Sequence, residues 1–404
     1  MKIKNLVVIL FCILLSLQAF SKESKPNIYD AIHVTGALQK IDTLTAISKK
    51  NINSAETAII LIPGLNSVSL KNEFYEWKNL WNFWQSSKQL TEAQKGKYAF
   101  FVFRYDGWQS LFSASSLLES GLNELLIKQP NLKKITFIGY SQGGLIARII
   151  NSKSSNLSLK INKIITLASP HQGTVTLTEN WTRSVLKNQN FLERAKNEKL
   201  LQFLKNRYKY AYYEQAWTNF DDNIPASAKY TVPPEALSIP QPDKEDLNKF
   251  IVYGSYIYPP YAQDFEGFLK VNITESVLRN LLNRESAMNE LNRWMAAKNH
   301  KDEKPSLRDN LRLNDGVIPL SSALWAKVCE TNQNQPENWQ KIFPTNNYCP
   351  TVHLQRAFYG FNHLAWRMEV SGNKKAKDLF HPNLPKKSPY EWLVEDLIFE
   401  DNKL

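Results

Sequence analysis

Cysteine is scarce: the 404 residues hold three, Cys12, Cys329 and Cys349, with no CxxC pair and no histidine at ligand spacing beside them. That excludes a thiolate metal centre and gives no reason to expect any metal or other cofactor. Beyond the first twenty residues no apolar run is long enough to cross a bilayer, and no internal repeat is present. Zinc-finger spacing and RNP-like motifs are also missing, so the net charge of +12 does not mark a nucleic-acid reader. The lysines are scattered rather than blocked. Their excess favours anionic surfaces, such as a membrane leaflet, without specifying a partner.

What is present begins with Lys2 and Lys4, an apolar run from Leu6 to Leu17, and then Ala19-Phe20-Ser21. These are the charged, apolar and small-residue regions of a secretory signal peptide over residues 1–21, with cleavage expected after Ser21 and a periplasmic or extracellular destination. Phe11 before Cys12 does not fit a lipid-modification site. In an exported chain the two remaining cysteines, Cys329 and Cys349, are expected to form a disulfide.

Short apolar runs at Thr57–Ile62, Tyr98–Phe103, Ile135–Ile138 and Ile164–Leu167 read as strands buried on both faces. Helical patterns from Phe74 to Leu90 and from Leu111 to Ile127 alternate with them, which predicts an α/β chain with a mainly parallel sheet flanked by helices. In the first helix Trp77, Trp81 and Trp84 recur at helical spacing and are expected to face the core. The rhythm breaks after Ser169. Residues 175–249 read as a largely helical cap inserted in a domain spanning 22–404, strand character returns at Phe250–Tyr256, and a second insertion covers about 257–313.

The most informative segment is Gly139-Tyr140-Ser141-Gln142-Gly143-Gly144, which joins an apolar strand to an apolar helix through Gly-x-Ser-x-Gly. Small residues two places either side of Ser141 are what a sharp strand-to-helix turn requires if it is to present a nucleophile. The plain alternative is a tight turn in which Ser141 caps the helix. A serine nucleophile needs a histidine base and an acid to orient it. Asp315, in Asn314-Asp315-Gly316, is the candidate acid, although Asp-Gly is also an ordinary turn. In the chain order nucleophile, acid, histidine, the best base is His363 in Gly360-Phe361-Asn362-His363-Leu364. His353 is the reserve, and His381 lies in a polar tail before Pro382. Oxyanion donors are expected from the backbone N–H of Gln142 and, after Pro63-Gly64, that of Leu65.

The chain resembles the lipase branch of the α/β-hydrolases, particularly secreted bacterial lipases and esterases. The elbow matches, Pro63-Gly64-Leu65 is similar to the family's oxyanion loop, and Ala168-Ser169-Pro170-His171-Gln172-Gly173 is similar to its Pro-His-x-Gly segment. Asn314-Asp315-Gly316 resembles the acid loop, and Asn362-His363-Leu364 the histidine loop. The resemblance implies an α/β-hydrolase fold, a Ser141–His363–Asp315 triad acting on lipid acyl esters through an acyl-enzyme, and a structural role for His171. Ala365 stands where calcium-dependent members carry an aspartate, so no calcium site is implied. Acyl transfer and phospholipid cleavage use the same triad and stay open, as does a catalytically silent binding protein of this fold. The aromatic cap, with Trp181, Tyr208 and Trp217 among its residues, would cover an apolar acyl cleft.

Overall fold

A computed structural model describes residues 33–35, 42–46, 52–64, 73–105, 107, 109–153, 155–174, 214–215, 239–256, 313–315, 318–328, 335–343, 348–361, 363–366 and 375–398. The expected signal peptide, Leu65, Cys329 and nearly all of both insertions lie outside these residues.

Eight strands form one sheet: β1 (His33–Thr35), β2 (Asp42–Ala46), β3 (Thr57–Ile62), β4 (Tyr98–Phe103), β5 (Lys134–Tyr140), β6 (Ile161–Leu167), β7 (Phe250–Tyr256) and β10 (Leu354–Tyr359). Two short strands, β8 (Lys327–Val328) and β9 (Tyr348–Cys349), pair separately. The order across the large sheet is β1-β2-β4-β3-β5-β6-β7-β10. From β4 to β10 every pairing is parallel, while β1 and β2 add an antiparallel edge.

Period-two alternation divides each central strand between two cores. Ile60 and Ile62 of β3, Phe101 and Phe103 of β4, and Phe137 of β5 face one cluster. Ile59 and Leu61, Phe100 and Val102, and Ile138 and Tyr140 face the other. This is why their sequences read as continuous apolar runs. Helices α2 (Leu111–Lys128) and α3 (Gln142–Lys153) cover the first face, α2 starting at Ser110, whose hydroxyl accepts from the Phe112 N–H. The second face is covered by α1 (Glu73–Ser86) and by a C-terminal helix, α6 (Pro389–Ile398). Trp77 and Trp84 of α1 are buried there and Trp81 packs beside them, as the stripe predicted. Each large side chain so buried contributes ~1.5–3 kcal/mol.

The polar tail inferred around His381 has a different character. Residues 375–398 pack on the sheet, and Tyr390, Trp392, Leu393 and Val394 are buried. This segment also supplies carboxylates to Arg356 of β10. Asp396 accepts from Nε and Nη2 at 2.6 Å each, and Asp378 accepts from Nη1 at 2.9 Å. Tyr253 of β7 donates its hydroxyl to Asp396, and His381 bonds Asp378 at 2.8 Å. His381 is thereby a member of this network.

Two further helices, α4 (Leu320–Ala323) and α5 (Glu337–Ile342), lie in the segment between β7 and β10. Cys349 is disulfide-bonded, and the β8–β9 register pairs Lys327 with Cys349 and Val328 with Tyr348. Among the described residues no helix is long and apolar enough to cross a membrane.

Candidate active site

Strand order creates the site. The chain runs from β3 to β4 on one side and then to β5 on the other, so its direction reverses beside β3, where ligands of parallel sheets bind at the carboxyl ends. Ile62 of β3 is paired with Gly139 of β5, which sets the Pro63-Gly64 loop next to Ser141. A Cβ on Gly64 would come within 2.9 Å of the Ser141 Cβ.

Ser141 sits between β5 and α3 with φ of 54°, a left-handed conformation that L-residues adopt at a cost of order 1–3 kcal/mol. Its N–H donates to the Leu167 carbonyl at 2.9 Å, and its own carbonyl accepts from the Gly144 N–H at 3.2 Å. The flanking glycines are required by contact. A Cβ on Gly139 would strike the Gly143–Gly144 backbone, and one on Gly143 would strike the Ile62 carbonyl. This geometry matches a nucleophile elbow, whereas a simple cap needs neither the strain nor the contacts.

Asp315 lies in a turn closed by its N–H to the Ile318 carbonyl and by Ile318 N–H to its Oδ1 at 2.8 Å. The turn leads into α4, whose Leu320 packs against Gly254 of β7. His363 begins a short 3-10 turn, His363–Trp366, just past β10. Its N–H donates to the Asp315 carbonyl at 2.8 Å, and its carbonyl accepts from the Tyr140 hydroxyl at 2.9 Å. Both ends of the peptide are therefore held.

The side chains meet in sequence. His363 Nδ1 is 2.8 Å from Asp315 Oδ2, and His363 Nε2 is 3.1 Å from Ser141 Oγ. Relative exposures are 1% for Asp315, 6% for His363 and 7% for Ser141, so the acid is shielded while the other two retain a path to a substrate. His353 lies before β10, at the opposite end of that strand from His363. The six residues of β10, at about 3.3 Å each, lie between their positions, which removes His353 as a base for Ser141.

His171 is buried, bonds Thr166 through Nε2 at 2.9 Å and stacks on Trp325 with ring centroids 4.4 Å apart. Burial, and then the nearby Arg148 charge, push it well below the usual imidazole range, so it stays neutral. Arg148 of α3 lies over the same indole at 4.2 Å, donates to the carbonyls of His171 at 2.9 Å and Pro240 at 2.8 Å, and is lowered to about 9 by burial. Among the described residues no group of three or more His, Cys, Asp and Glu could hold a metal ion.

Gln142 opens α3 as expected, while Leu65 lies outside the described residues. Residues without a sequence signature join them. The Gln142 side chain donates to the Tyr105 hydroxyl and to the Gly107 carbonyl, both at 2.8 Å, and accepts from Gln215 at 2.8 Å. Tyr105 in turn donates to the Pro63 carbonyl at 2.7 Å.

A family model described as palmitoyl protein thioesterase matches residues 59–235, a span that includes the elbow and stops short of Asp315 and His363. No curated protein matches the chain. Among solved structures, a lipase of Bacillus licheniformis in mature form is 12% identical, with 93% of this chain and 100% of that chain covered and a TM-score of 0.42. An esterase of Pyrococcus furiosus is 14% identical over 56% of this chain and 70% of its own, with a TM-score of 0.33. A serine hydrolase from Cycloclasticus zankles is 11% identical over 56% and 80%, with a TM-score of 0.31.

Proposed function

We propose that this chain, a member of the α/β-hydrolase superfamily by its strand order and elbow, is an exported serine hydrolase that cleaves acyl esters of lipid-like substrates. The observation that carries the reading is the unbroken chain from Asp315 Oδ2 to His363 Nδ1 at 2.8 Å and from His363 Nε2 to Ser141 Oγ at 3.1 Å. With Asp315 accepting from the Nδ1–H, the free lone pair of His363 faces the serine hydroxyl. Ser141 Oγ attacks the substrate carbonyl as Nε2 takes its proton, and the oxyanion is received by the N–H groups of Gln142 and Leu65. The tetrahedral intermediate collapses, His363 returns the proton to the leaving group, and water repeats the sequence to free the acid.

The family-model match over 59–235 favours a second substrate class, long-chain acyl thioesters, which the same steps would cleave with a thiol leaving. The net charge of +12, only two units of which come from Lys2 and Lys4 in the expected signal peptide, supports work at an anionic membrane surface. A fluorophosphonate probe followed by peptide mapping should find the label on Ser141. Absence of label in folded protein would favour the silent binding protein. A panel of short and long oxyesters, a phospholipid and an acyl thioester, assayed below and above micelle formation, then separates the substrate classes. A short-chain preference with no interfacial gain would overturn the lipid assignment.

Cys329, one residue beyond the β8 segment paired with β9, is the proposed partner of Cys349. Alkylation of the exported protein should modify neither cysteine until reductant is added. Labelling of Cys329 without reductant would overturn the pairing.

A further inference from the structure

Gln215 belongs to the first insertion, yet its side chain ends on Gln142, the residue whose N–H is one expected oxyanion donor. All three bonds of the Gln142 amide are accounted for: its two N–H groups go to Tyr105 and Gly107, and its oxygen accepts from Gln215. The Tyr105 hydroxyl continues the series to the carbonyl of Pro63, in the loop that carries the other expected donor at Leu65. Gln215, Gln142 and Tyr105 are all buried. In such surroundings an amide with every polar atom bonded has one orientation, because a flip would set donor against donor at Gln215 and acceptor against acceptor at Gly107.

The two ends of the series are themselves fixed. The Tyr105 ring stacks on Phe103 of β4 at 4.9 Å. The Gln215 carbonyl accepts from the Thr174 N–H at 2.9 Å. The neighbouring Glu214 carboxylate accepts from the Ser110 hydroxyl at 2.7 Å and the Leu111 N–H at 2.6 Å, at the first turn of α2. The dipeptide Glu214-Gln215 is therefore pinned to the catalytic core on both sides of its contact with Gln142.

We infer that Gln215 and Tyr105 are positioning residues that hold the Gln142 oxyanion donor and the Pro63-Gly64 turn beside Ser141, through the Gln142 side chain and the Pro63 carbonyl. The inference rests on the serine-hydrolase reading above. In this role neither residue contacts the reacting atoms: Gln215 acts on the side chain of the donor residue Gln142, and Tyr105 on the Pro63–Gly64 peptide. Donors must lie at hydrogen-bond distance, about 2.7–3.1 Å, from the position the oxyanion will take, and loosening them raises the barrier without changing ground-state binding.

Gln215→Leu and Tyr105→Phe each remove one link at nearly constant volume. Each should lower kcat about tenfold with KM unchanged, a part of the 10²–10³-fold that outright loss of one donor costs. A boronic acid that forms a tetrahedral adduct on the serine should bind more weakly by the same factor, whereas a non-reactive substrate analogue should bind as before. Gln215→Asn with its shorter reach should recover little, and the double variant should be less impaired than the product of the singles, because both cut one series. Wild-type kcat in both folded variants, or a loss confined to KM, would overturn the inference. So would a fall in kcat that leaves boronate affinity intact. Failure of the underlying reading is seen separately, as wild-type protein that the fluorophosphonate does not label.

Discussion

Ser141→Ala should lower kcat for ester hydrolysis by about 10⁶-fold, and adding His363→Ala and Asp315→Ala should lower it little further. On the proposed mechanism the three side chains work as a unit. Without Oγ there is nothing for His363 to deprotonate, and without Nε2 the hydroxyl 3.1 Å away keeps its proton at neutral pH. What survives is whatever the oxyanion donors and substrate binding give to attack by water, on the order of 10³-fold over the uncatalysed rate. The alanine should not disturb the elbow, because its Cβ occupies the place of the serine Cβ and the bonds from Ser141 N–H to Leu167 and from Gly144 N–H to the Ser141 carbonyl are backbone. The check is steady-state kinetics of the single and triple variants with thermal melting alongside. Single-variant activity within tenfold of wild type would remove Ser141 from the mechanism.

The largest effect on stability should come from Asp396→Ala, at about 3–5 kcal/mol, the cost of breaking a buried ion pair from one side. Arg356 is buried and forms a two-pronged pair with Asp396 at 2.6 Å per contact. Burial opposes its charge, yet the bonds to Asp396 and the carboxylate charges of Asp396 and Asp378 hold it above its ordinary value. Removing Asp396 leaves Asp378 as one partner for a guanidinium that had two, and strands the Tyr253 hydroxyl inside the second core. Lys163 keeps its bond to the backbone carbonyl of residue 396. Urea unfolding should show the midpoint falling with an unchanged slope. A loss below about 1 kcal/mol would mean that the site takes in water and that the network is dispensable.

Those two sets of residues differed in how readable they were. The strands β3 to β7 announce themselves because burial on both faces demands an unbroken apolar run, and the triad because each member sits in a short loop with its own signature. Strand β10 is hidden by composition: Leu354-Gln355-Arg356-Ala357-Phe358-Tyr359 carries a charge in a buried strand, tolerable only because Asp378 and Asp396 come to meet it. Those partners lie 22 and 40 positions further on, beyond any local window, so the segment around His381 reads as a solvated tail when it is core. The oxyanion tether is silent for a similar reason. A tyrosine and a glutamine have no motif of their own, and Gln215 is 73 residues from Gln142.

One guanidinium on the helix behind the nucleophile ties down the borders of the first insertion. Arg148 grips the carbonyl of His171, just before residues 175–238, and the carbonyl of Pro240, just after them. The two stumps of that stretch thus share a single clasp, while β6 and β7 on either side are already laced together from Ile164↔Phe250 to Leu167↔Tyr253. The ends of that stretch are thus held to the catalytic core by contacts of their own, and within it Glu214 and Gln215 are bound to the core separately. Changes elsewhere in the stretch that leave Glu214, Gln215 and the two clasped carbonyls in place should therefore spare the alignment of Ser141 and His363.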